Sequence, residues 1–350
     1  MRIDSMFVLI YCLACLEDSI MSRYKVVVTD HLFSSLEEEQ EIFRRMDAEL
    51  AVGQCRAEEE TIALSRDADA ILNTYAPITA KVIKSLERCR VIVRFGIGVD
   101  NVALEAATER GIMVANTSDY CIDEVADQAM ALLLALARGL FPSARIARDN
   151  NWDFKRMPRL IRIRGQTLGL LGVGRIGSAV AARANGFGLR ILAYDPYVSE
   201  EVVHEMAVER VDLDTLLRES DFLSIHVPLN AETLGLIGDE ALSKMKPTAY
   251  LINVARGKIV DQAALCRALG AGRIAGAALD VLETEPPRPD DPILRFDNVI
   301  LTPHAAWYSE QSRLDMRRRA VAQVVSVLKG ELPYSLVNRE VLEKINIRNK

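Results

Sequence analysis

The chain has 350 residues, 50% hydrophobic and 26% charged, which is enough to bury the cores of two domains. Its net charge of −6 argues against a nucleic-acid or anionic-membrane surface, and no run reaches the roughly 20 apolar residues that a membrane helix needs. Six cysteines without regular spacing read as reduced thiols of a cytoplasmic protein, with no metal-ligand cluster among them.

Residues 1–21 stand apart. The run MFVLIYCLACL at 6–16 has signal-peptide length, but Asp4 sits in the would-be basic flank, and Glu17 and Asp18 replace a small-residue cleavage site. Cys12 and Cys15 form a C-x-x-C without a second pair, which is weak support for zinc or redox chemistry. Met21 opens MSRYKVVVTD, the start of a first strand, so 1–21 is expected to be an upstream extension, poorly ordered. An export signal is the lesser alternative.

From Tyr24 the pattern alternates. Strands are expected over 25–30, 69–74, 91–95 and 112–116, and helices over 36–46, 78–89 and 101–110. Strand and helix in alternation make a parallel sheet covered on both faces. A helix over 123–140 follows. Val125, Ala129, Leu132, Leu133, Leu136 and Leu140 share one face, and Met130, Ala131, Leu134 and Ala135 make the other side apolar too. A helix apolar nearly all round is buried nearly all round. Its cover is either the chain's own core or a second copy, with equal weight.

The stretch 164–197, RGQTLGLLGVGRIGSAVAARANGFGLRILAYDPY, then reads strand, tight turn, helix, strand, acid. Gly172, Gly174 and Gly177 stand in the spacing G-x-G-x-x-G. The first allows the turn, the second lets a pyrophosphate approach the backbone, and the third lets the helix pack close. The helix from Arg175 turns free N–H groups and a positive dipole end toward phosphates. Asp195, 18 positions past Gly177, can accept from both ribose hydroxyls and would repel a 2′-phosphate, so NAD(H) is expected over NADP(H). The alternative of a glycine turn without a ligand does not account for the flanking strands and the acid.

Further strands are expected over 221–227, 249–254, 276–281 and 298–302, with helices over 239–245, 262–270 and 309–329. Three stretches at strand ends carry chemistry, where open α/β sheets bind ligands. In INVARG at 252–257, Arg256 needs an anion, and a structural ion pair serves as well as a bound carboxylate. DVLETEPP at 280–287 is an acidic loop stiffened by prolines. In TPHAAW at 302–307, His304 alone is more often structural than catalytic. A carboxylate on one imidazole nitrogen stabilises the charged ring, so contact with Glu285 would make His304 a proton donor to a carbonyl oxygen. His226 ends a strand near the expected cofactor; His31 and His204 read as surface or structural.

These motifs, in this order, resemble the D-isomer-specific 2-hydroxyacid dehydrogenases over about 24–338. RFGIGVDN at 94–101, YDPY at 194–197 and TPHAAWYSEQS at 302–312 are similar to the C-terminal-binding protein branch, which includes NAD(H)-sensing corepressors. The resemblance implies that Arg256 grips the substrate carboxylate, His304 is the acid/base and Glu285 its partner. It implies amide donors to that carboxylate at Gly96, Ile97 and Gly98, and pocket residues at Tyr75, Arg94 and Trp307. It implies cofactor contacts at Arg175, Ile176, Val227, Pro228, Thr233, Val254, Ala255 and His304, with Asp280 holding the nicotinamide amide. Cys121 replaces the branch's usual serine cap, a weaker N-cap without functional meaning.

The expectation is therefore an α/β protein of two doubly wound parallel-sheet domains. A flavodoxin-like substrate domain takes 22–119 plus 305–340, and a Rossmann NAD-binding domain takes 120–304. The expected function is reduction of a small 2-oxo acid with NADH by a cytoplasmic homodimer or tetramer, without nucleic acid, membrane or metal. The rival is a corepressor-like scaffold with residual activity. The acidic charge and the lack of a basic run favour the enzyme.

Overall fold

A computed structural model describes residues 23–150, 152–158, 160–199 and 207–345. The expected extension 1–21 and His204 lie outside the described residues. The chain forms two compact units, one from the chain up to Thr117 together with Arg318 onward, the other Ser118–Arg317. Both are α/β, with parallel sheets of five and seven strands, as the alternation implies.

In the first unit the strands are β1 (Tyr24–Val28), β2 (Ala48–Val52), β3 (Ala70–Asn73), β4 (Val91–Arg94) and β5 (Met113–Asn116). Their order, β2-β1-β3-β4-β5, is flavodoxin-like. Val27, Ile71, Ile92 and Val114 pair in one row across four strands and are wholly buried. Such both-face burial explains why these strands read as continuous apolar runs. β2 and the helix Glu58–Ser65 were not expected. β2 is an edge strand with exposed residues, and EEETIALS has no apolar stripe, so neither shows a period. The segment around Leu336 covers the free edge of β5: Val337 donates to Val114 O, and Asn338 Oδ1 accepts from Val114 N.

In the second unit the strands are β6 (Thr167–Leu171), β7 (Arg190–Tyr194), β8 (Glu209–Arg210), β9 (Phe222–Ile225), β10 (Tyr250–Asn253), β11 (Gly276–Leu279) and β12 (Val299–Leu301). The order β12-β11-β10-β9-β6-β7-β8 reverses between β6 and β9. That is the Rossmann arrangement with one added strand, and the crevice at such a reversal is where a dinucleotide binds. Residues 305–317 sit with this unit: Trp307 stacks at a tilt on Tyr120, and Ser309 donates to Glu124.

The long helix runs Ile122–Arg138 and stops at Gly139, which takes a left-handed conformation. Most of its apolar residues are buried, Met130 and Ala135 included, whereas Ala131 is exposed and Leu134 partly exposed. Arg183 ties it to the helix Arg175–Gly186 through Asp123 and Asp127. Cys121, its N-cap residue, makes no side-chain cap bond. A separate helix, Leu140–Arg148, follows and buries none of its residues. Among the described residues no single helix is long and apolar enough to cross a membrane.

Candidate active site

The site is built on the carboxyl ends of the second unit's strands. After β6 the chain turns at Gly172, whose φ of +94° favours glycine. A Cβ on Gly177 would fall 2.2 Å from Gly172 O, so the helix packs directly on the turn, while a Cβ on Gly174 would meet nothing. Gly174 is the helix N-cap without a side-chain cap, which leaves the first helical N–H groups, from Arg175 and Ile176 onward, for a ligand. Asp195, after β7, accepts from Val173 N and from Tyr197 N, each at 3.0 Å. Its carboxylate is thus fixed against the glycine turn with lone pairs left for hydroxyl donors. An open backbone cradle, free helix amides and a fixed acid at its rim fit NAD(H).

The loop after β9 holds Val227, Pro228 and Thr233. Thr233 is buried, and its hydroxyl donates to Pro228 O at 2.6 Å, which closes this loop. His226 pairs Nε2 with Ser224 Oγ at 2.8 Å. Desolvation pushes its ring down to about 4, so it is neutral at ordinary pH. In the first unit, His31 Nδ1 accepts the Phe33 amide, a local loop contact.

After β10, Asn253 braces the turn that carries Val254, Ala255 and Arg256. Its Oδ1 accepts from Ala255 N at 3.0 Å, and its Nδ2 donates to Arg256 O at 2.9 Å. Gly257 lies against the next loop so closely that a Cβ would fall 1.9 Å from the Leu282 carbonyl. That contact seats the loop holding Glu285 beside the one holding Arg256. Glu285 Oε1 accepts from Leu282 N at 2.9 Å, and its Oε2 lies 2.6 Å from His304 Nδ1. Burial would raise the Glu285 carboxyl. The hydrogen bond and charge of His304 outweigh it, with help from the Leu282 N–H and the Arg256 guanidinium, and hold it below the ordinary carboxylate value.

Asp280, after β11, is the hub of the next loop. It is buried, its Oδ1 accepts from the Thr302 hydroxyl and from Ala305 N, and its Oδ2 accepts from Ala306 N. Its backbone carbonyl takes the His304 N–H at 2.8 Å. These bonds hold His304 at φ +52°. Since Nδ1 faces Glu285, Nε2 is the nitrogen left to act, and it has no partner among the described residues. Sequence reasoning did not find the bracing roles of Asn253 and Asp280. The available signal is a polar residue ending an otherwise apolar strand.

The other expected residues lie in the first unit. Tyr75 is half exposed, and its N–H donates to Asp30 Oδ2 at 2.6 Å. Arg94 ends β4, next to the turn 96–98. One expectation needs correction there. The Gly96 N–H donates to Thr117 Oγ1 at 2.9 Å and is already spent, which leaves Ile97 and Gly98 as amide donors.

Comparison with known proteins gives a family for this chain. Residues 130–306 match the family model for the D-isomer specific 2-hydroxyacid dehydrogenase, NAD binding domain. A glyoxylate reductase of Korarchaeum cryptofilum is 45% identical over 282 residues, 79% of this chain and 85% of that protein. A D-3-phosphoglycerate dehydrogenase of Methanocaldococcus jannaschii is 41% identical over 320 residues; the match takes 90% of this chain but spans only 59% of that longer protein. The crystal structure of D-lactate dehydrogenase from Aquifex aeolicus, complexed with NAD and lactic acid, superposes with a TM-score of 0.81 at 31% identity, covering 89% of this chain and 99% of that one.

Proposed function

This chain belongs to the D-isomer-specific 2-hydroxyacid dehydrogenases, and we propose that it reduces a small 2-oxo acid to the D-2-hydroxy acid with NADH. It is an NAD-dependent oxidoreductase acting on the CH–OH group. The observation that carries the substrate reading is the His304–Glu285 pair, 2.6 Å apart, in the same unit as the glycine motif.

The chemistry follows from the atoms. Arg256 presents a planar fork suited to the substrate carboxylate and to polarising the 2-oxo group. His304 Nε2 gives a proton to the 2-oxo oxygen, while Glu285 on Nδ1 orients the ring. The helix amides from Arg175 and the Asp195 carboxylate would hold NADH, whose chemistry there would be hydride delivery to the 2-oxo carbon. In the first unit, Ile97, Gly98, Tyr75 and Arg94 are our candidates for substrate contacts. Trp307 in the second unit and Tyr75 in the first are our candidates for residues that favour an apolar substrate side chain.

The motifs RFGIGVDN and TPHAAWYSEQS support a place near the C-terminal-binding protein branch. The relatives reported above are named as reductases and dehydrogenases, so they lend no support to the corepressor-like scaffold. The reduced thiols of Cys55, Cys89 and Cys266 support a cytoplasmic setting.

The test is steady-state NADH oxidation with a panel of 2-oxo acids that includes glyoxylate and pyruvate. We expect turnover with at least one of them and a clear preference for NADH over NADPH. His304→Ala should lose about 10²–10⁴-fold in kcat, the range for a positioned acid, and still bind NADH. No turnover across the panel, or full activity in His304→Ala, would overturn the reading.

A further inference from the structure

The turn 96–98 in the first unit is fixed by its carbonyls. Thr117 N donates to Gly96 O at 3.0 Å, and Asn116 Nδ2 donates to Ile97 O at 2.6 Å. In a trans peptide the C=O and the N–H that follows it point in opposite directions. Holding both carbonyls toward the end of β5 therefore aims the Ile97 and Gly98 N–H groups away from it. Neither N–H has a hydrogen-bond partner among the described residues. The turn also lies against Arg94: Gly96 has φ +140°, and a Cβ there would fall 1.8 Å from Arg94 Nη1. Two such amides next to the Arg94 side chain offer donors to an anionic oxygen pair.

Asn116 is itself locked. The Ser335 hydroxyl donates to its Oδ1 at 2.6 Å, which leaves Nδ2 for Ile97 O. Gln323 is buried in the helix Glu310–Leu328; its Nε2 donates to Asn116 O at 2.9 Å, and its Oε1 accepts from Ser335 N at 3.0 Å. A satisfied, partly buried network of this kind holds one geometry.

We propose that Asn116 is a positioning residue for the substrate carboxylate: by gripping Ile97 O it presets the Ile97 and Gly98 amides as an anion site. The inference rests on the reading that the substrate is a 2-oxo acid. Asn116 touches no reacting atom, so its loss shows in carboxylate binding and not in the chemical step.

The test uses Asn116→Asp, which keeps the shape but offers no donor to Ile97 O, and Asn116→Ala, which adds no charge. The expected result in both is a KM for glyoxylate raised about ten- to a hundredfold, the range for losing a hydrogen bond to a charged group, with kcat nearly kept. Calorimetry with oxalate, which needs no turnover, should show the same weakening, while NADH affinity stays in place. An unchanged KM and unchanged oxalate affinity overturn the proposal. So does weakening in the Asp variant alone, which would be charge repulsion, or parallel loss of kcat and NADH affinity, which would be a structural role. If the unsubstituted protein reduces no 2-oxo acid, the functional reading fails; oxalate binding to the three proteins still decides the role of Asn116.

Discussion

Glu285 is the residue whose charge makes His304 more than a strand-end histidine. Its carboxyl sits below the ordinary value, which is the depressed case of proton linkage. The stability it contributes is present above the ordinary carboxylate pKa and is lost as pH falls through the depressed one. Unfolding midpoints followed from pH 7 down to about 3 should therefore drop more steeply in the unsubstituted protein than in Glu285→Gln. Activity depends on the same pair through geometry. Glu285→Gln keeps the shape of the loop but removes the carboxylate that holds Nδ1, so kcat for 2-oxo acid reduction should fall while NADH affinity holds. An unchanged kcat in Glu285→Gln would show that the pair does not act as a unit.

At the scale of elements, three loops after β10, β11 and β12 are keyed to one another. Asn253 braces the first, Gly257 is pressed against the second, and Asp280 ties the second strand's end to the third loop. Parallel strands deliver their carboxyl ends to one edge of the sheet, so residues far apart in sequence become neighbours there. Gly257→Ala tests this keying. The new methyl group meets the backbone of Leu282, which cannot swing aside as a side chain could, so the Glu285 loop must shift. The expected cost is about 1–3 kcal/mol of stability, as for other overpacked sites. kcat should fall while NADH affinity holds, because the turn after β6 and Asp195 are untouched. Equal loss of both by fluorescence titration and steady-state kinetics would point to general unfolding instead.

At the scale of the molecule, we propose a homodimer. The helix Ile122–Arg138 buries most of its apolar residues but leaves Ala131 exposed and Leu134 partly exposed. More uncovered surface comes just after it. Leu140, Phe141, Trp152 and Phe154 are 53%, 60%, 88% and 79% exposed, and the helix Leu140–Arg148 buries nothing. Large apolar side chains grouped on one segment mark an association surface, and a second copy is the occupant we propose. Light scattering should give twice the 38.9 kDa of one chain. Phe141→Ser with Trp152→Ser should shift that mass toward a single chain and leave the fold intact by circular dichroism. A single-chain mass for the unsubstituted protein at micromolar concentration would end the dimer proposal.

The parts of this protein legible in its residues are those whose cause is local. Buried parallel strands announce themselves as apolar runs, and the glycine spacing with Asp195 is a turn, a helix start and a strand end read within 34 residues. Arg256, Glu285 and His304 were visible as chemically costly residues placed at strand ends. Other features have no local cause. β2 is half exposed at a sheet edge, so its pairing with β1 leaves no period in AELAV. The Gly96 amide is taken by Thr117, the Asp280 carboxylate by three donors in the next loop, and Asn116 by Ser335, 219 positions away. Those partners are chosen by the strand order and by the return of the chain onto the edge of β5. Only the folded arrangement decides which donors meet which acceptors, because a hydrogen bond depends on positions in space that no spacing along the chain encodes.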